Sequence, residues 1–226
     1  MNNNEGMRQT TPRRGRPPST SREEIVEHAM RLLDEHGVHG VTMKLLATEI
    51  GVSPMALYRH VDDKETLLAL ALDAIAEPFA SMDFPDDPRE RIVAAMTTVY
   101  DSLVEHPWVP EALIGPQRSG RGALHISDAA IGAAYRITGD REAALRAYRA
   151  CWSLTLGTVL THLRAKAESN EAATEWMINL LDSLPPNSAP DMRAAVQARI
   201  PPSGRDDFEA SLRALLHGLF GPDQNG

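Results

Sequence analysis

Residues 51–68 read GVSPMALYRHVDDKETLL. Gly51 suits the left-handed backbone of a tight turn. Ser53 suits a helix N-cap, and Pro54 fits the first helical position, where its missing N–H costs nothing. The helix so begun has about two turns before Asp62 or Asp63 caps the next one. Apolar burial does not ask for so short a helix carrying Tyr58, Arg59 and His60 in a row. The residues before Gly51 supply the reason. Thr42 caps a helix with Leu45, Leu46 and Ile50 on its inner face. Ala47, four residues before the glycine, is small enough for a second helix to cross close by. Val52 and Leu57 pin the pair together, which is helix-turn-helix logic. The second helix is then held outward, where it can enter a DNA major groove about 12 Å wide that takes about two helical turns.

Outward from this stretch the pattern stays helical. Ser21 and Glu24 form a capping box for a first helix, with Ile25, Ala29, Leu32 and Leu33 in phase and Gly37 as its stop. A fourth helix runs from Asp63 to about Glu77, with Leu67, Leu68, Ala71, Leu72 and Ile75 inside and Pro78 at its end. Beyond a linker at Pro85 and Pro88, helices are expected at about 87–105, 123–137, 141–168, 171–184, 191–199 and 206–220. No run alternates apolar and polar residues, and no segment repeats. The expected fold is all-α: a disordered basic arm at 1–18, a three-helix helix-turn-helix head at 19–65, and a larger helical domain at 66–226.

Of the 226 residues, 42 % are hydrophobic, enough to build a core. No apolar run approaches the ~18 residues of a membrane span, and the N-terminus lacks the apolar stretch of a secretory signal. Cys151 stands alone, so it forms no internal disulfide and by itself no zinc site. The expectation is a reducing cytoplasm, with no membrane partner, no metal and no cofactor. The net charge of −8 argues against nucleic acid until its distribution is read. Residues 1–64 hold nine Lys/Arg and nine Asp/Glu, so the whole acidic excess lies behind them. From Arg8 to Arg22 there are five arginines and no acid. A basic arm, a neutral head and an acidic body make a footprint that fits DNA at one end.

Val41–Leu68, VTMKLLATEIGVSPMALYRHVDDKETLL, resembles the DNA-binding head of the tetracycline-repressor (TetR) family of bacterial transcription regulators. Leu57-Tyr58, His60-Val61, Lys64 and Leu67-Leu68 carry the match, which covers about residues 20–75. The helix count behind it and the ending DDFEASLRALLHGLFG are similar to that family's C-terminal domain. The resemblance implies a homodimeric repressor that holds a palindromic double-stranded DNA operator and releases it when a small-molecule effector enters the C-terminal domain.

Carried over by position, Thr42 and nearby amides hold a phosphate, and Lys44 reaches a base or a phosphate. Ser53, Pro54, Met55 and Ala56 face the bases. They are small or apolar, so hydrogen-bond readout is sparse and contact with thymine methyls fits. Tyr58 and Lys64 grip phosphates with His60 beside them; the alternative for His60 is a helix C-cap. Arg59 reaches a guanine or only a phosphate. Arg13, Arg14 and Arg16 sit in PRRGRPPS, which resembles an AT-hook for the minor groove. The alternative, a flexible tail adding salt-sensitive affinity, is the reading favoured for so short a tract.

In the body, two apolar stripes stand out: Leu145, Tyr148, Trp152, Leu156, Val159 and Leu163, and Phe208, Leu212, Leu215, Leu216 and Leu219. The resemblance makes these helices a four-helix dimer interface, and an operator of two half-sites favours that over ordinary core packing. Gly157 allows a partner helix to come close. An effector pocket should be mostly apolar with a few polar anchors. Met96, Tyr100, Leu103, Trp108 and Trp152 are its candidates, with His162 and His125 as anchors. No counterpart of the polar and histidine set that holds magnesium-tetracycline is found. Cys151, on a buried helix face, reads as inert. An all-α enzyme is the rival class, but H-E-x-x-H, G-x-S-x-G, a P-loop and a paired-Cys motif are all missing. A DNA-binding module without an effector is the third reading.

Overall fold

The computed structural model describes residues 20–113, 121–167, 170–198 and 204–222. Among them are eleven α-helices and one 3-10 helix, and no strand. The head comprises α1 (Arg22–Gly40), α2 (Met43–Ile50) and α3 (Pro54–Leu57). The helix α4 (Lys64–Ala76) leads out of it into a 3-10 turn at Glu77–Ser81. The body follows as α5 (Pro88–Glu105), α6 (Val109–Ala112), α7 (Arg121–Thr138), α8 (Arg141–Ala167), α9 (Asn170–Asp182), α10 (Pro190–Gln197) and α11 (Arg205–Phe220).

Each head helix starts where its cap stands. Ser21 and Glu24 close the capping box on α1. The Leu45 amide donates to Thr42 Oγ1 at 3.1 Å, Ala56 to Ser53 Oγ at 3.2 Å and Thr66 to Asp63 Oδ1 at 2.7 Å. Gly37, at φ 67°, ends the regular part of α1, and Gly51, at φ 79° and ψ 27°, makes the left-handed turn after α2. Ile25, Ala29, Leu33, Leu46, Ala47, Leu57 and Val61 are buried around that turn. Each large one contributes about 1.5–3 kcal/mol by leaving water.

The helix boundaries follow the sequence expectations closely. Two short elements were not foreseen: the 3-10 turn and α6, each a single turn built around a proline. The buried cluster is continuous from head to body, because α4 packs on α1 at one side and on α7 at the other. At the second contact a Cβ on Gly122 would lie 1.5 Å from the Ala76 carbonyl oxygen, so only glycine lets α7 come this close to the end of α4. The last helix, α11, is fastened to α5. Arg213 bridges to Glu90 at 2.9 Å, and Arg89 donates to the carbonyls of Leu216 and Gly221 at the α11 C-terminus.

Candidate nucleic-acid interface and ligand cavity

The outward face of the head is what the turn predicts. The 1 % exposure of Ala47 leaves room for α3 to cross α2, and Leu57 is fully buried beneath it. The α-helical part of α3 is one turn long. The amides of Arg59, His60 and Val61 continue it by donating to the carbonyls of Ala56, Leu57 and Leu57 again, which gives the two turns expected. This pinning leaves Ser53, Pro54, Met55, Tyr58, Arg59 and His60 exposed, with Met55 at 73 % and Tyr58 at 47 %. Large side chains left so bare on a well-packed head invite a partner. Ala56 is half-buried.

Thr42 and Lys44 are exposed on the neighbouring helix. Thr42 Oγ1 already accepts from Leu45, so its own O–H remains to donate to a phosphate. The side chains of Lys44, Arg59 and His60 make no hydrogen bond among the described residues, which leaves their polar atoms open to a partner. Lys64 has a partner within the chain. Its Nζ donates to the Val38 carbonyl at 2.6 Å, tying the start of α4 to the end of α1. An ammonium has three donors, so two remain for a phosphate. Arg13, Arg14 and Arg16 lie outside the described residues.

Behind the head, α4, the 3-10 turn, α5, α6, α7 and α8 enclose a cavity of about 520 Å³. Met96, Leu103 and Trp152 line it, as the sequence suggested. The four other candidates do not. Tyr100 is buried against Phe208, rings stacked at 4.6 Å, and burial pushes its hydroxyl pKa up. His162 meets the edge of Tyr100, with ring centroids 6.3 Å apart. Trp108 turns toward the head and donates to Asp34 at 3.0 Å. His125 lies near the Met82 carbonyl at 3.2 Å and tilts against Phe84.

The sequence missed the polar part of the wall: Ser102, Ser127, Tyr148 and Arg149. Tyr148 sat on the recognised α8 stripe, one and two turns from Trp152 and Leu156. Arg149 beside it looks in sequence like any solvated helix charge.

The dimer candidates also divide. Val159, Phe208, Leu212 and Leu216 are buried in the chain's own core, and Leu156 lines the cavity. A regular apolar stripe marks a buried face without saying what buries it, and here the rest of the same chain does. Leu215 is half-buried, and Leu219 is 45 % exposed. Facing outward on α8 and α11 are Ser153, Gly157, Leu160 and Ala214, Gly218 and Leu219. Among the described residues no cluster of three or more His, Cys, Asp or Glu could hold a metal, and no helix is long and apolar enough to cross a membrane.

Fold and face together define a helix-turn-helix domain with a helical domain behind it. The family model of bacterial regulatory proteins of the tetR family matches residues 25–71, most of the head and the start of α4. The chain is 34 % identical over 100 residues to the HTH-type transcriptional repressor DrrR1 of Streptomyces coeruleorubidus, covering 43 % of this chain and 37 % of that one. It therefore spans well under half the length of that relative. Over 213 residues it is 25 % identical to the class C tetracycline repressor of Escherichia coli, covering 88 % of this chain and 90 % of the other. Among solved structures, a TetR transcriptional regulator from Streptomyces coelicolor superposes with a TM-score of 0.72 at 25 % identity, over 89 % of this chain and 98 % of that one. The agreement of fold extends through the body as well as the head.

Proposed function

We propose that this chain is a homodimeric, ligand-responsive repressor of transcription. Its head reads a palindromic operator through Ser53–His60, with Thr42, Lys44 and Lys64 on phosphates. Its body, from about residue 66, takes a small-molecule effector and a second copy of the chain. The observation that carries this reading is the double role of α4. Leu67 and Ala71 are buried in the common core, while Leu72, Ile75 and Ala76 form a wall of the cavity. A molecule entering the cavity meets the helix on which the head is mounted.

A two-headed reader needs its recognition helices about 34–36 Å apart, one helical turn of DNA. An effector that binds better to a form with α4 displaced shifts the population away from that spacing, and only such unequal binding can do so. The outward faces of α8 and α11 supply the surface for the second copy, since Gly157 and Gly218 leave room for a close helix approach. The relatives' names support repression, and the identity with a tetracycline repressor over most of the chain supports response to a small molecule.

The test is selection of bound duplexes from a random pool, followed by footprinting and by the mass of the complex in solution. A two-fold symmetric site protected by an even number of chains is expected. An asymmetric or featureless pool bound by single chains would overturn the dimeric reader.

A further inference from the structure

We propose that the cavity takes an amphipathic anion: a largely apolar, ring-bearing small molecule with one acidic group that ends at Arg149. This rests on the reading of the cavity as the effector site and adds the chemical class of the effector. The volume, about 520 Å³, falls within the range of sites for drug-sized ligands. Most of the wall is aliphatic, with Phe79, Trp152 and Tyr148 adding flat aromatic surface. Such a wall gains by burying rings.

The polar wall residues are asymmetric in charge. Among the described residues Arg149 is the charged residue of the lining, and no Asp or Glu belongs to it. Arg149 is exposed, so its guanidinium sits at the mouth rather than in the depths. No ion pair or hydrogen bond of this guanidinium occurs among the described residues, whereas Arg146, one turn before it, pairs with Glu142. An arginine left without a carboxylate beside an apolar wall offers a fork of donors to an anion whose rings lie against that wall.

Next to it stands a second anchor of opposite sense. Ser127 Oγ donates to the Ala123 carbonyl at 2.7 Å and lies 2.9 Å from the Tyr148 hydroxyl. Serine has one hydrogen to give, so Tyr148 donates to Ser127 and keeps its own oxygen as an acceptor. The site therefore matches an acidic group at Arg149 with a neighbouring O–H or N–H directed at Tyr148.

The test uses two dyes with the same rings and the same N–H: 8-anilino-1-naphthalenesulfonate, which is anionic, and N-phenyl-1-naphthylamine, which is neutral. Both are titrated by fluorescence into the full chain, into Arg149→Gln and Arg149→Lys, and into the cavity-filling variants Ala123→Phe and Ser102→Phe. The expected result is that Arg149→Gln weakens the sulfonate dye about tenfold and leaves the neutral dye within twofold. Arg149→Lys should recover part of the loss, and each filling variant should weaken both dyes. Equal effects of Arg149→Gln on the two dyes, or no effect on either, overturn the anionic class while the cavity stands. Binding that neither filling variant weakens overturns the cavity as a ligand site, and the effector reading with it.

Discussion

The indole N–H of Trp108 donates to the Asp34 carboxylate at 3.0 Å. His106 Nδ1 lies 3.0 Å from the same oxygen. Asp34 belongs to α1 of the head, and Trp108 immediately precedes Val109 and Pro110, which line the cavity. A second polar contact beside it, His39 Nε2 to a Glu111 carboxylate oxygen at 2.9 Å, brings the same two elements together at the surface. The cavity wall thus touches the head by two routes, α4 and this latch from α6.

Removing the indole N–H while keeping an aromatic ring should loosen the latch. Trp108→Phe is expected to cost about 1–2 kcal/mol, the low end for a bond to a charged acceptor, because Asp34 keeps about a third of its surface in water. Thermal denaturation should fall by a few degrees, and amide hydrogen exchange should quicken in both α1 and α6. Faster exchange confined to α6 would show that the bond does not join the two parts.

Glycine at 122 should be intolerant of even one methyl. Gly122→Ala brings a Cβ against the Ala76 backbone, which has no flexible end to yield. The expected loss is about 1–3 kcal/mol or more, as in overpacked cores. Gly132→Ala on the same helix is the control. Its added Cβ meets nothing within 4 Å, so it should gain up to about 1 kcal/mol from helix propensity. Melting curves of the two variants moving in the same direction would contradict the close α4–α7 contact.

Cys151 should be silent as a redox switch. Burial pushes its thiol up to about 11, so near neutral pH it carries almost no thiolate. A disulfide reagent at pH 7.5 should leave the folded chain unmodified and titrate one thiol after denaturation. The residual rate in the folded chain should rise with pH toward 11. Rapid labelling at neutral pH would contradict the burial.

Acid should weaken the tie between α5 and α11. Arg213, hydrogen-bonded to Glu90, lowers the Glu90 pKa below its ordinary value, with burial opposing. The pair's contribution is therefore fully present above the unfolded carboxylate pKa of about 4.3 and is lost as pH falls through the lower folded value. Both side chains are nearly half exposed, so the contribution is small. In Glu90→Gln the melting temperature should fall less between pH 6 and pH 3 than in the parent chain. Equal falls would remove the pair from the acid response.

The head was legible in the sequence because its determinants are local. Ser53, Pro54, Gly51 and Ala47 each act within a few residues of themselves, and their caps and turn appear where the sequence puts them. The body was legible as helices but not as a site. Trp108 was expected in the pocket, yet its partner Asp34 is 74 residues away, a pairing no spacing rule reveals. Phe208, Leu212 and Leu216 were expected between two chains, yet they bury within one, because a stripe records burial and not its partner. Arg149 was missed because its meaning lies in the carboxylates it lacks.

The central claim is that the exposed α3 face reads DNA. Its most direct test is fluorescence anisotropy of the full chain on a labelled duplex from upstream of its own gene, across a salt series, beside Tyr58→Ala and Met55→Ala. Met55 is 73 % and Tyr58 47 % exposed, so both variants should stay folded, with Tyr58→Ala melting at most a few degrees lower. Sequence-selective binding that weakens with salt is predicted, with Tyr58→Ala losing affinity on every duplex and Met55→Ala losing it mainly on the preferred one. Folded variants that bind as tightly as the parent chain would contradict the account.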